Sequence, residues 1–242
     1  MTDPLSSRLL TLTLAVSLAF TCIFVSFPGV DLAVSRLFTD ANGHFPMADS
    51  TLATLLNNGL KLLLAIFFAL ALLLACISPL LRGKAQAIAR NCWFLVAVYA
   101  VGPGLIVNAI LKSWVGRARP ITVTEFGGDR LFTPMLQISD QCVRNCSFSS
   151  GEVATTSTFV FALLALSWAH LTTRGRYLAA SAGAMLICLS MTLRIGLGRH
   201  FLSDTLTSVA IAALVTLACW SLLGVSETRQ GLPFNPLRGR SR

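Results

Sequence analysis

The stretch LLLAIFFALALLLACISPL, Leu62–Leu80, decides how this chain is read. It holds no charged residue and is longer than the run of about 18 apolar residues a helix needs to cross the hydrocarbon core. Working outward, five more blocks meet or approach the same test: Leu9–Phe27, Cys92–Leu111, Val153–Leu171, Leu178–Leu193 and Leu206–Val225. The fifth in chain order is the shortest, because Arg194 ends it early. Lipid offers no water to unpaired backbone groups, so each block is expected to be helical. A membrane β-barrel would instead show alternating segments of roughly ten residues. The expected fold is all-α, a polytopic integral membrane protein with six transmembrane helices. One membrane domain spans 1–225, and a basic tail over 226–242, with Pro233 and Pro236, is expected to be disordered and cytoplasmic.

The rest of the composition agrees. Of the 242 residues 55% are hydrophobic and only 12% charged, too few to cover a soluble surface. The first block follows Arg8 as a secretory signal would, but it is long and leads into Phe27-Pro28-Gly29 rather than a small-residue cleavage site. It reads as an uncleaved anchor. A net charge of +9 would suggest a nucleic-acid partner in a soluble protein. Here membrane topology accounts for it, and no nucleic acid is expected. With six spans both termini share a side, which carries Arg8, Arg82, Lys84, Arg90, Arg174, Arg176 and the tail arginines, ten basic residues against nine opposite. The positive-inside rule puts the termini in the cytoplasm. Five of the seven cysteines lie in apolar blocks; Cys142 and Cys146 lie together in a long outward loop, as a disulfide or as two free thiols.

Three polar clusters interrupt the apolar body. The first is Lys112-Ser-Trp-Val-Gly-Arg-Ala-Arg119-Pro120, whose density of cations exceeds interfacial snorkelling. The second, Ser149-Ser150-Gly151-Glu152, opens the fourth span; it reads as an anion-binding helix N-terminus or as a plain capping box, Ser149 with Glu152. The third is Arg194, His200 and Asp204, the last two expected on one helical face, where a carboxylate would orient an imidazole. With the spans in this order all three clusters reach one membrane face. Three cations, a helix N-terminus and an oriented histidine describe a phosphoryl-transfer site. Only His44, His170 and His200 are present, without metal-ligand spacing, so neither metal nor other cofactor is expected.

Lys-x6-Arg-Pro, then Ser-Gly, then Arg-x5-His-x3-Asp resembles the three-part signature of the type 2 phosphatidic acid phosphatase superfamily, six-span enzymes that include bacterial lipid A phosphatases. The resemblance implies His200 as nucleophile, Asp204 as its orienting partner, and Lys112, Arg119, Arg194, Ser150 and Gly151 as phosphate ligands. Two positions depart from the pattern. Leu193 stands where the family has a serine, and Glu152 stands where it has a histidine general acid. Glu152 is then the acid, a helix cap, or a sign of lost activity. The implied function is a metal-independent membrane lipid phosphatase working through a phosphohistidine, in the bacterial inner membrane with a periplasmic site. A lipid phosphotransferase or a degenerate phosphate-binding protein are the alternatives. Because a weak acid suits a good leaving group, the expected substrate is a lipid A 1-phosphate or a polyprenyl diphosphate. The oligomeric state is left open.

Overall fold

The computed structural model describes residues 4–223, so the tail expected over 226–242 lies outside the described residues. The elements are α1 (Pro4–Ser26), α2 (Gly29–Arg36), α3 (Thr51–Ile77), α4 (Gly83–Tyr99), α5 (Gly151–Ser167), α6 (Thr173–Gly196) and α7 (Leu202–Leu222). Among the described residues six helical spans are long and apolar enough to cross a membrane, and each overlaps one of the expected blocks.

Two spans differ from expectation in ways that shape the site. The second begins at Thr51 rather than Leu62. Ser50 starts it by accepting the Ala53 N–H at 3.2 Å. Asn57, Asn58 and Lys61, which lower the hydropathy and read as loop, instead line a cavity from this helix. In the third span Pro103 has no N–H to give, and the chain continues from Tyr99 as a π-helical stretch, Ala100–Leu111. There the Asn108 side-chain amide donates to the Pro103 carbonyl at 2.7 Å. The disturbance that Gly102-Pro103-Gly104 announces is thus a change of helical pitch.

Helix α5 is the axis of the bundle. Its buried face is built from Ala154, Thr156, Ser157, Thr158 and Ala162, small side chains that let α6 and α7 come close, as helices in lipid must. Phe94, Leu95, Val98, Ala162 and Val215 form the core around it. On the outside Leu63 and Leu70 remain largely exposed, as lipid-facing positions do.

The segment between α4 and α5 folds over the bundle end. Phe45, Ala118, Val123, Phe126 and Phe201 pack together there. The Ile121 N–H donates to the Gly198 carbonyl at 3.0 Å. Gly198 sits at φ +62, and a Cβ on it would lie 2.9 Å from Ile121 Cβ and Phe45 Cδ2, so only glycine fits. Cys142 and Cys146 are bridged.

Candidate active site

All three clusters meet beneath this folded segment. A cavity of about 520 Å³ is lined by Lys112 and Arg119 from the first, Gly151 and Glu152 from the second, and Arg194 from the third. Across from them stand Thr54, Asn57, Asn58 and Lys61 of α3. The Nε–H groups of Arg119 and Arg194 are buried without a hydrogen-bond partner among the described residues. Buried donors without partners are costly, and an anion in the cavity is what they suit. Each guanidinium is otherwise held. An Arg119 Nη2–H donates to the Asn145 carbonyl at 2.7 Å, and Arg194 Nη1 is 3.3 Å from the Asn57 side-chain oxygen.

His200 is fully buried. It does not stand on a helix, because Gly198 turns the chain and α7 begins only at Leu202. The Nδ1–H donates to the Ser147 carbonyl at 2.6 Å. A carbonyl can only accept, so Nδ1 carries the proton and Nε2 keeps its lone pair, 3.2 Å from Arg194 Nη2. Burial, and then the charges of Arg194, Lys112 and Arg119, hold the His200 pKa well below 6.5, against the pull of the Ser147 carbonyl. The imidazole is neutral at physiological pH with a free nitrogen beside a guanidinium.

Asp204 is placed differently from the expectation. Its Oδ2 is 3.9 Å from His200 Nδ1, beyond hydrogen-bond reach. The carboxylate accepts the Ser147 hydroxyl at 2.5 Å, the Phe201 N–H at 2.9 Å and Arg117 Nη1–H at 2.6 Å. Its action on His200 is electrostatic and indirect, because the Ser147 carbonyl occupies the position the sequence reading gave to the carboxylate.

The second cluster also departs from the expectation. Ser150, not Ser149, caps α5, accepting the Val153 N–H at 3.4 Å. The box of Ser149 with Glu152 does not form. Glu152 instead lies 3.4 Å from Arg194 Nη1 as an ion pair at the cavity wall.

Sequence reasoning missed Arg117 and Asp31. Arg117 is completely buried, with Nη2–H on Asp31 at 2.8 Å, Nη1–H on Asp204, and Nε–H on the Thr133 carbonyl at 2.8 Å. Burial opposes its charge, but Asp204 and Asp31 outweigh that and raise its pKa. The signal was a charged residue inside the first cluster with no role in the phosphate pattern; its partners, far away in sequence, were not visible. Among the described residues no group of three or more His, Cys, Asp and Glu side chains has metal-binding geometry.

A neutral imidazole with one unprotonated nitrogen, beside several cations inside a helical membrane bundle, is an arrangement suited to a membrane phosphatase. Residues 91–226 match the PAP2 superfamily, and the chain belongs to it. It is 31% identical over 204 residues to the lipid A 4′-phosphatase of Francisella tularensis subsp. novicida, covering 83% of this chain and 89% of that protein. It is 32% identical over 233 residues to the lipid A 4′-phosphatase of Rhizobium etli, covering 88% and 85%. The crystal structure of a transmembrane PAP2-type phosphatidylglycerolphosphate phosphatase from Bacillus subtilis superposes with a TM-score of 0.53 at 17% identity, over 96% of this chain and 98% of that one, a likeness of fold.

Proposed function

We propose that this membrane lipid phosphatase removes the 4′-phosphate from a lipid A-type glycolipid, with His200 as nucleophile. The observation that carries the reading is the fixed tautomer of His200, whose unprotonated Nε2 accepts from Arg194, a residue that lines the cation-rich cavity. The Nε2 lone pair forms a bond to phosphorus, the P–O ester bond breaks, and the sugar oxygen leaves and takes a proton from solvent relayed by Glu152. Nδ1 keeps its proton, so the phosphorylated ring is cationic. Water then attacks phosphorus, the P–N bond breaks, water gives its proton to the Glu152 carboxylate and so back to solvent, and phosphate leaves with neutral His200 restored. Lys112, Arg119 and Arg194 hold the phosphoryl oxygens and offset charge in the transition state. Ser150 starts the helix whose first-turn amides at Gly151 and Glu152 face the same anion.

Substrate choice rests on two supports. The 520 Å³ cavity is far larger than a phosphate needs and lies in the range of small-molecule sites. Its α3 wall of Thr54, Asn57, Asn58 and Lys61 offers the amides and hydroxyl that bond sugar oxygens. The relatives are named for the 4′ position, so the proposal moves there from the 1-position favoured by the leaving-group argument. The distribution of basic residues supports cytoplasmic termini and a site on the periplasmic side of the inner membrane. The membrane domain is taken as 1–225.

The test is phosphate release by purified protein from bisphosphorylated lipid A, phosphatidic acid and polyprenyl diphosphate, with mass spectrometry locating the phosphate that is lost. Loss of the 4′-phosphate is expected to be fastest; faster hydrolysis of phosphatidic acid would overturn the substrate reading. Accessibility labelling of cysteines placed at Asp129 and Arg174 should mark opposite sides, and labelling from one side would overturn the topology.

A further inference from the structure

We propose that Asp31, Arg117 and Ser147 are positioning residues of the reaction, a buried chain that sets the His200 ring and supplies the counter-charge for its phosphorylated form. The inference rests on His200 being the nucleophile. The chain starts at α2, where Asp31 accepts Arg117 Nη2–H at 2.8 Å, the Ser203 N–H at 2.9 Å and the Ser203 hydroxyl at 2.5 Å. Arg117 passes on to Asp204 at 2.6 Å and to the Ser203 oxygen at 2.8 Å, with its guanidinium carbon 4.4 Å from the centre of the Phe201 ring. Asp204 then takes the Ser147 hydroxyl at 2.5 Å.

Ser147 is the last link, and its three polar groups divide the work. Its N–H donates to the Arg117 carbonyl at 2.9 Å, its hydroxyl to Asp204, and its carbonyl accepts His200 Nδ1–H at 2.6 Å. With its amide and its side chain both tethered, the residue itself is held in place, and its carbonyl is kept toward the imidazole. That one bond fixes both the tautomer and the aim of Nε2. Asp31, Arg117, Ser147, Ser203 and Asp204 are all buried. A fully satisfied polar network in a low-dielectric interior is stiff, and small errors in aim are expensive at a nucleophile.

Charge makes the second half of the argument. Asp31 and Asp204 carry two negative charges against the one positive charge of Arg117, a net of −1. In the resting site His200 is neutral and this charge has no match on the ring. Once His200 is phosphorylated with Nδ1–H retained, the ring is a cation, and Asp204 Oδ2 lies 3.9 Å from that nitrogen. The cluster therefore favours the intermediate and the transition state leading to it over the resting enzyme. A network that only stapled the loops together would need neither the surplus charge nor the ending on the reactive ring.

The decisive variant is Ser147→Ala, which cuts the tether while leaving the backbone carbonyl. Partners that orient a reactive group typically contribute about 10–100-fold, so kcat should fall by about that factor with KM nearly unchanged. Orthovanadate, which mimics the trigonal phosphoryl group under attack, should bind more weakly by the factor lost in kcat/KM, while inorganic phosphate keeps its Ki. Asp31→Asn, which removes the surplus charge, should show the same split. If Asp31→Asn does not fold, Ser147→Ala decides alone. Turnover of Ser147→Ala within twofold of the unmutated protein, or equal weakening of vanadate and phosphate, overturns the proposal. Failure of the unmutated protein to release phosphate from any lipid would instead remove the phosphatase reading beneath it.

Discussion

Replacing Gly151 by alanine tests the assembled site with a single carbon. Gly151 is buried at the first turn of α5. A Cβ there would lie 2.7 Å from Asn108 Oδ1 and 3.3 Å from Lys112 Nζ. Reaching ordinary contact at 3.4 Å requires Asn108 Oδ1 to retreat by 3.4 − 2.7 = 0.7 Å. Asn108 cannot swing freely, because its amide holds the Pro103 carbonyl at 2.7 Å; giving up that bond costs about 1 kcal/mol. Alanine's smaller unfolded-state entropy returns about 0.4–1 kcal/mol, so net stability should change little. Lys112 Nζ is only 0.1 Å inside that limit, so the displacement falls on Asn108, which lines the cavity with Lys112. A 1 Å misplacement in an active site costs roughly 10²-fold, so a shift of 0.7 Å at this wall should lower kcat/KM by about 10-fold while the melting temperature in detergent moves by only a few degrees. Gly59→Ala, with nothing within 4 Å of its added carbon, is the control. Phosphate release measured on both variants decides the matter. A Gly151→Ala enzyme within twofold of the unmutated protein would refute the placement of Asn108 against the α5 N-terminus.

Four further outcomes follow from the same geometry. His200→Ala should reduce turnover to background and abolish acid-labile, base-stable labelling of the protein by radioactive phosphate; retained turnover would remove the mechanism. Because His200 is held neutral, the acid limb it contributes to kcat/KM should lie below pH 6.5, and its contribution to stability should be complete above 6.5 and decline as pH falls below it, since the unfolded chain takes the proton first; an acid limb above 6.5 assigned to His200 would contradict the burial. Glu152→Gln leaves Arg194 without its counter-ion, so inorganic phosphate should bind several-fold tighter while kcat falls by roughly 10²–10⁴-fold if the carboxylate moves a proton; unchanged kcat would leave Glu152 a purely electrostatic role. Cys142→Ser with Cys146→Ser should raise KM several-fold, because Asn145, which holds Arg119, lies inside the bridged loop; an unchanged KM would show that the bridge does not support Arg119.

What was legible in the sequence follows the range of the forces involved. The spans were readable because lipid imposes one rule on a whole run of residues. Lys112, Arg119, Arg194 and His200 were readable because charge at the ends of such runs needs a reason, and order along the chain brought them to one face. The polar start of α3 was not readable, because Asn57, Asn58 and Lys61 lower the hydropathy where they face the cavity. The spacing of His200 and Asp204 suggested a shared helical face. The positive φ of Gly198 instead places the histidine before the helix and passes the orienting bond to Ser147. Asp31 meets Ser203 across 172 residues and Arg117 across 86. No local pattern carries a contact of that kind.

The exchange of histidine for Glu152 looks different once its partner is known. Charged residues around the cavity are Lys61, Lys112, Arg119, Arg194 and Arg199, with Glu152 the one acid among those lining it. Five cations around one cavity repel each other, and the ion pair at 3.4 Å relieves part of that on Arg194. A carboxylate in an ion pair is a poor proton donor, so it can protonate the leaving sugar oxygen only after the phosphoryl group has taken over Arg194. It is already in the right state for the second half of the reaction, in which water attacking the phosphohistidine must lose a proton. A histidine at this position would add a sixth cation whenever it held the proton it was to donate. Under the proposed mechanism the glutamate would therefore shift the site's proton chemistry toward the hydrolytic step and moderate the charge of the cations that line the cavity with it.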